Sequence, residues 1–264
     1  MNCNDINQAL IEGSIASRLW PEVEEHLRNC ARCRELAGAL SAAVPEASPS
    51  PATLRQIERG IVANLRPVRP IAPKLSIFGA FIGIFISVAA LGAYRLGAFA
   101  LGVMSPLQAC VILGALAIST GLLAYSLVNQ MVPGSRHRIP PGRLPFGIAI
   151  SLAIAIAVLF QFQHEQNFWA KSWACIRAGT SIGALATVPL CFVLRRGAVL
   201  SPAMTGAATG LLAGLVGTTA LEIHCPNLDA RHILVAHLGV AVLGAITGFL
   251  FGLAVENKII SRRL

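Results

Sequence analysis

Past Leu75 the chain is written almost wholly in apolar residues, interrupted at intervals by short polar groups. Six apolar stretches result, near 75–94, 107–129, 146–163, 174–194, 203–221 and 233–255. Each reads as a helix able to cross about 30 Å of hydrocarbon. Ahead of them the pattern is amphipathic. Ile6, Leu10 and Ile11 share a face of a first short helix over 4–13. A second starts near Ser17 or Trp20-Pro21 and places Val23, His26 and Leu27 on one side. A third runs from about Cys33 to Leu40, turning Leu36 and Leu40 inward.

Residues 45–53 hold three prolines among small polar residues and read as a linker. Leu54, Ile57, Ile61 and Leu65 then recur at helical spacing over 52–65, opposite Arg55, Gln56, Glu58 and Arg59. A helix between two Pro-rich segments has nothing local to pack on. It binds a partner protein, lies on a membrane surface, or folds back on the head. The chain therefore predicts an all-α protein in three parts. A small helical head covers 1–44, a Pro-rich linker with an amphipathic helix covers 45–74, and a six-helix transmembrane bundle covers 75–260.

Charge changes this picture by giving it a direction. Of 21 Lys/Arg and 12 Asp/Glu, residues 75–264 hold 12 and 4. The basic residues cluster before the first stretch, at Arg136, Arg138 and Arg143, at Arg195 and Arg196, and at Lys258, Arg262 and Arg263. The alternate loops carry only Arg95, Lys171 and Arg231. By the positive-inside rule both termini are cytoplasmic. The net charge of +9 is thus a topology signal; a basic surface interleaved with aromatics, as direct nucleic-acid binding requires, is missing. The N-terminus lacks the apolar region of a signal peptide. Glycines at four-residue spacing (Gly79 and Gly83; Gly206, Gly210 and Gly214; Gly244, Gly248 and Gly252) predict close helix approach.

The candidate chemistry of the head is one cluster. His26 and Cys30 lie one helical turn apart, and a turn at Cys30-Ala31-Arg32-Cys33 brings the second thiol beside them. Cys3 supplies a fourth donor. Three thiolates and one imidazole close a tetrahedral shell around one structural Zn2+, and a head this small needs such a staple. With no open coordination position and no neighbouring general base, catalysis is not predicted. A buried or redox-active thiol pair is the competing reading.

A second collection falls on the opposite side of the bilayer: His164, Cys175, His224, Cys225 and His232, with Glu165 and Asp229. Three readings stand open. Cys175 and Cys225 form a disulfide; thiols and imidazoles capture a heavy metal; or these are ordinary loop residues. Arg177 and Glu222 either pair within the membrane or reach separately to the interface.

Residues 1–40 resemble the zinc-containing anti-sigma domain, through His26-x3-Cys30-x2-Cys33 within "EEHLRNCARCREL" and Cys3 upstream. Residues 75–260 resemble the NrsF-type six-span membrane anti-sigma family, through "SWACIRAG" (172–179), "LRRGAVLSPAMTGAATGLLAGLVG" (194–217) and "EIHCP" (222–226). That family's Trp-Tyr pair at the start of the last span is replaced here by His232-Ile233. The resemblance implies an extracytoplasmic-function sigma factor as partner, gripped by the head and by the helix over 52–65. It also implies a bacterial inner-membrane location and release on an envelope, heavy-metal or redox signal. Its partners are then the sigma factor and the lipid bilayer, with no small-molecule substrate. The rival from another class is a six-helix transporter or channel with a zinc-binding regulatory head. That reading requires ionisable residues in mid-span or inverted repeats.

Overall fold

The computed structural model describes residues 3–12, 20–43, 50–64, 72–132, 135, 140, 142–163, 166–199 and 201–261. These residues are helical or loop, so the all-α expectation holds among them. The chain divides into two units, Met1–Val68 and Arg69–Leu264.

In the first unit α1 (Cys3–Glu12), α2 (Trp20–Asn29) and α3 (Ala31–Ala43) fold around one small core. Cys30 alone separates α2 from α3, which makes the turn that the Cys-x-x-Cys spacing requires. Ile6, Val23 and Cys33 are fully buried, with Leu10, Leu27 and Cys30 packed against them. α4 (Pro51–Asn64) follows. Its first turn takes in Pro51, one residue ahead of the start expected at 52. Ser50 accounts for this shift: its hydroxyl accepts the backbone N–H of Thr53 at 3.1 Å, and Pro51 fits the first helical position.

The second unit is a helical bundle of α5 (Lys74–Leu96), α6 (Pro106–Met131), α7 (Leu144–Leu159), α8 (Phe168–Leu194) and α9 (Pro202–His224) with a composite last helix. That last helix consists of α10 (Ala230–His232), a π-helical stretch Ile233–Leu238, and α11 (Gly239–Ser261). α9 is its axis, with Leu211, Leu212, Leu215, Val216 and Leu221 buried. α7 shows the opposite habit. Ile148, Leu152 and Ile156 face inward while Ile150, Ile154 and Val158 are exposed, so the helix is apolar on every side. Such a helix is soluble only in lipid.

Among the described residues five helices are long and apolar enough to cross a membrane, which makes this a multi-pass membrane protein. The remaining expected span is α7, a shorter apolar helix. It has 16 residues and ends at Leu159 rather than 163, so at 1.5 Å per residue it spans roughly 24 Å, short of the ~30 Å hydrocarbon core. Phe160 to Gln163 leave the helix because they answer the last loop: Gln161 O accepts the N–H of Ala230 at 2.9 Å, and Gln163 N–H donates to Asp229 Oδ1 at 2.9 Å.

The glycine expectation holds for one set and fails for another. A Cβ on Gly210 would strike the carbonyl of Gly244, and one on Gly206 the carbonyl of Gly248, so α9 and α11 meet backbone to backbone. Gly79 and Gly83 have no neighbour within 4 Å where a Cβ would stand; their spacing marks no contact.

Candidate metal centres

In the head, α1 contributes Cys3, α2 contributes His26, the α2–α3 turn Cys30 and the first turn of α3 Cys33. Their donor atoms all lie within 4.8 Å of one another. Cys3 Sγ is 3.6 Å from His26 Nε2 and 3.9 Å from Cys30 Sγ. A tetrahedron with Zn–S of about 2.3 Å and Zn–N of about 2.0 Å has S···S edges of about 3.8 Å and S···N edges of about 3.5 Å. The two separations from Cys3 match such edges, and the four donors together fit that ion.

The thiols are unequal. Burial, then the neighbouring Cys30 and Cys3 thiols, push the Cys33 thiol up to about 11. Cys30 moves down, chiefly because the backbone N–H of Cys33 hydrogen-bonds its sulfur at the start of α3, with the Cys33 thiol adding to it. The Cys33 thiol also reaches Asn7 Oδ1 at 3.7 Å, which ties it to α1. A cation bound here replaces thiol protons and knits three helices whose described residues share three fully buried side chains.

α4 presents a different surface. Leu54, Ile57 and Ile61 are each about half exposed or more (52%, 50% and 58%), and no residue of α4 is buried. Val62 extends the stripe. Leu65, the fourth expected contact, lies outside the described residues.

At one end of the bundle the structure regroups the second collection. Cys175, Cys225 and His232 come together, and His237 joins them. His224 does not: its Nδ1 lies 3.2 Å from Gly97 O and its ring edges onto Phe99. It falls one residue before the turn at Cys225, on a different side of α9. His164 lies outside the described residues. Cys175 and Cys225 are free thiols with sulfurs 3.8 Å apart. Glu222 pairs with His237, Nδ1 to Oε1 at 2.9 Å, rather than with Arg177, which is exposed.

His237 gave no signal in the sequence because it stands five residues after His232, about 140° away round an α-helix. The π-helical stretch that begins at Ile233 widens the turn between them and narrows that separation. Thr218 holds the unusual turn, its hydroxyl donating to His237 O at 2.8 Å.

The family model described as "negative regulator of sigma F" (NrsF) matches residues 61–255. No curated protein and no solved structure matches the chain.

Proposed function

The chain belongs to this family of negative regulators of sigma F, and we propose that it is a membrane-anchored anti-sigma factor that sequesters an extracytoplasmic-function sigma factor. Negative regulation of a sigma factor and membrane anchoring follow from the family and the apolar helices. The type of sigma factor, the zinc in the head and the inner-membrane topology are our reading. In it Cys3, His26, Cys30 and Cys33 hold one structural Zn2+, which fixes α1 to α3. Residues 52–65 grip the sigma factor through Leu54, Ile57, Ile61 and Leu65. α7 completes a sixth crossing with local thinning of the bilayer, so both termini are cytoplasmic.

The single observation that carries sigma capture is α4. Its apolar stripe is covered by nothing among the described residues, and an amphipathic helix seats such a stripe in a partner's groove. Release follows an envelope, heavy-metal or redox signal received by the bundle. For that to work, the signal must bind or modify the two states of the bundle unequally.

The test is co-purification of the full chain, in detergent, with each extracytoplasmic-function sigma factor of the same organism. Ile57→Asp with Ile61→Asp is expected to abolish capture, and chelation of zinc to weaken it strongly. Undiminished capture by the double variant sinks the role of α4; failure of the unsubstituted chain to bind any sigma factor sinks the whole reading.

A further inference from the structure

The end of the bundle where α8, α9 and the last helix converge carries a second set of four donors. Cys175 comes from α8, Cys225 from the residue that ends α9, His232 from α10 and His237 from the π-helical stretch. Their donor atoms lie within 4.8 Å of one another, and Cys225, His232 and His237 are buried. The geometry assigns a second metal site here: Cys175 Sγ, Cys225 Sγ, His232 Nε2 and His237 Nε2 bind one tetrahedral thiophilic divalent cation of the zinc class.

Three observations carry this assignment independently. The first is length. Cys175 Sγ to Cys225 Sγ is 3.8 Å and Cys225 Sγ to His232 Nε2 is 3.5 Å. These match the S···S and S···N edges of about 3.8 and 3.5 Å expected for a zinc tetrahedron.

The second is orientation. Both imidazoles have their Nδ1 atoms engaged away from the thiols: His232 Nδ1 hydrogen-bonds Ser172 Oγ at 3.2 Å, and His237 Nδ1 meets the Glu222 carboxylate at 2.9 Å. A carboxylate only accepts, so His237 carries its proton on Nδ1 and presents the Nε2 lone pair to the cluster. Outer partners of this kind fix the tautomer and direction of metal-bound histidines.

The third is an unmet need. Among the described residues the buried His237 Nε2 makes no hydrogen bond of normal geometry, and the Cys225 thiol is its neighbour in the cluster. A buried polar atom of this kind needs a partner, and a cation at the centre of the four donors supplies one.

Two thiolates and two neutral imidazoles around a divalent ion make a neutral centre, suited to a low-dielectric end of a bundle. Binding releases the thiol protons to solvent, with no change of oxidation state. All four positions are filled by protein, so the centre is closed and ties α8, the end of α9 and the last helix together. It deepens the signal part of the proposed function and rests on that reading only for its consequence, since metal binding is measured without any sigma factor.

The test uses the full chain in detergent with Cys30→Ser and Cys33→Ser, which silence the head cluster. After zinc loading and desalting, this chain is expected to retain one zinc. With Co2+ in place of zinc, it is expected to show tetrahedral d–d bands and thiolate-to-cobalt charge transfer. Cys225→Ser is expected to remove both signals, and Glu222→Gln to weaken zinc binding about 10- to 100-fold while the ligands stay in place. A measurement on the chain with native bundle residues guards against misfolded variants: zinc is expected to protect Cys175 and Cys225, but not Cys110, from alkylation mapped by mass spectrometry. No zinc in the head-silenced chain, zinc unchanged by Cys225→Ser, or equal alkylation of Cys175 and Cys225 with and without zinc each overturns the site. These outcomes leave sigma capture untouched, just as loss of sigma capture leaves the zinc count untouched.

Discussion

Glu222 Oε1 lies 2.9 Å from His237 Nδ1, with both side chains 1% exposed, and the pair joins α9 to the π-helical stretch of the last helix. Thr218, one turn before Glu222, holds the backbone carbonyl of the same histidine. Removing the carboxylate leaves the buried imidazole N–H of His237 without an acceptor, at a cost of about 1–3 kcal/mol. Glu222→Leu is therefore expected to lower the unfolding midpoint of the detergent-solubilised chain markedly. Glu222→Gln keeps an acceptor facing Nδ1 and is expected to lower it less. Equal midpoints for Glu222→Leu and the unsubstituted chain would show the pair to be unimportant for stability.

The glycines of α9 and α11 give a second contrast. Gly210→Ala drives a methyl group into the carbonyl of Gly244 and forces the helices apart, a cost of about 1–3 kcal/mol or more. Gly83→Ala meets nothing within 4 Å and faces outward; it is expected to be neutral or to gain up to ~1 kcal/mol of helix propensity. Denaturation of the two variants side by side in mixed detergent checks the ordering.

Zinc binding by the head is expected to depend on pH in a defined sense. The Cys33 thiol, raised to about 11, holds its proton near neutrality, and zinc must displace it. Affinity should then rise about tenfold per pH unit for that proton between about pH 6 and 8, with other ligand protons steepening the slope. The metal-free head behaves in the opposite sense. A raised folded pKa gives stability that is full below the ordinary thiol value of 9 and lost as pH climbs through 11. Chelator competition across pH, in a full chain carrying Cys175→Ser and Cys225→Ser, measures the first effect. A flat profile would contradict it.

Within the first unit, burial separates residues that fold it from residues left free to bind. Val23→Asp places a charge in a three-residue core and is expected to abolish the head's zinc-retaining fold. Ile57→Asp sits on a half-exposed face of α4 and is expected to change stability by no more than ~0.5 kcal/mol. Hydrogen exchange of the head amides tells the two apart.

Much of this architecture was legible from spacing alone. The i, i+4 step from His26 to Cys30 and the two-residue gap to Cys33 do bring these donors into one cluster, because each spacing is set by local helix and turn geometry. The long apolar stretches located the helices for the same reason. What escaped was set by distant partners. α7 stops at Leu159 because the segment after it bonds to Ala230 and Asp229. α8 begins at Phe168, six residues before the apolar stretch at 174. His224 looked equivalent to Cys225, yet a one-residue step across the end of α9 sends it to Gly97. His237 was hidden by a change of helical register that no hydrophobic pattern announces, and Glu222 took it as partner in place of Arg177.

Where Gly206 meets Gly248 and Gly210 meets Gly244, no side chains lie between the two backbones to absorb a displacement. Interlocked carbonyls resist sliding, so α9 and α11 travel as a single stiff strut. A displacement at Cys225 is therefore expected to be felt near Pro202 and Gly252 at the other end, some 20 residues along the same rod, roughly 30 Å away at 1.5 Å per residue.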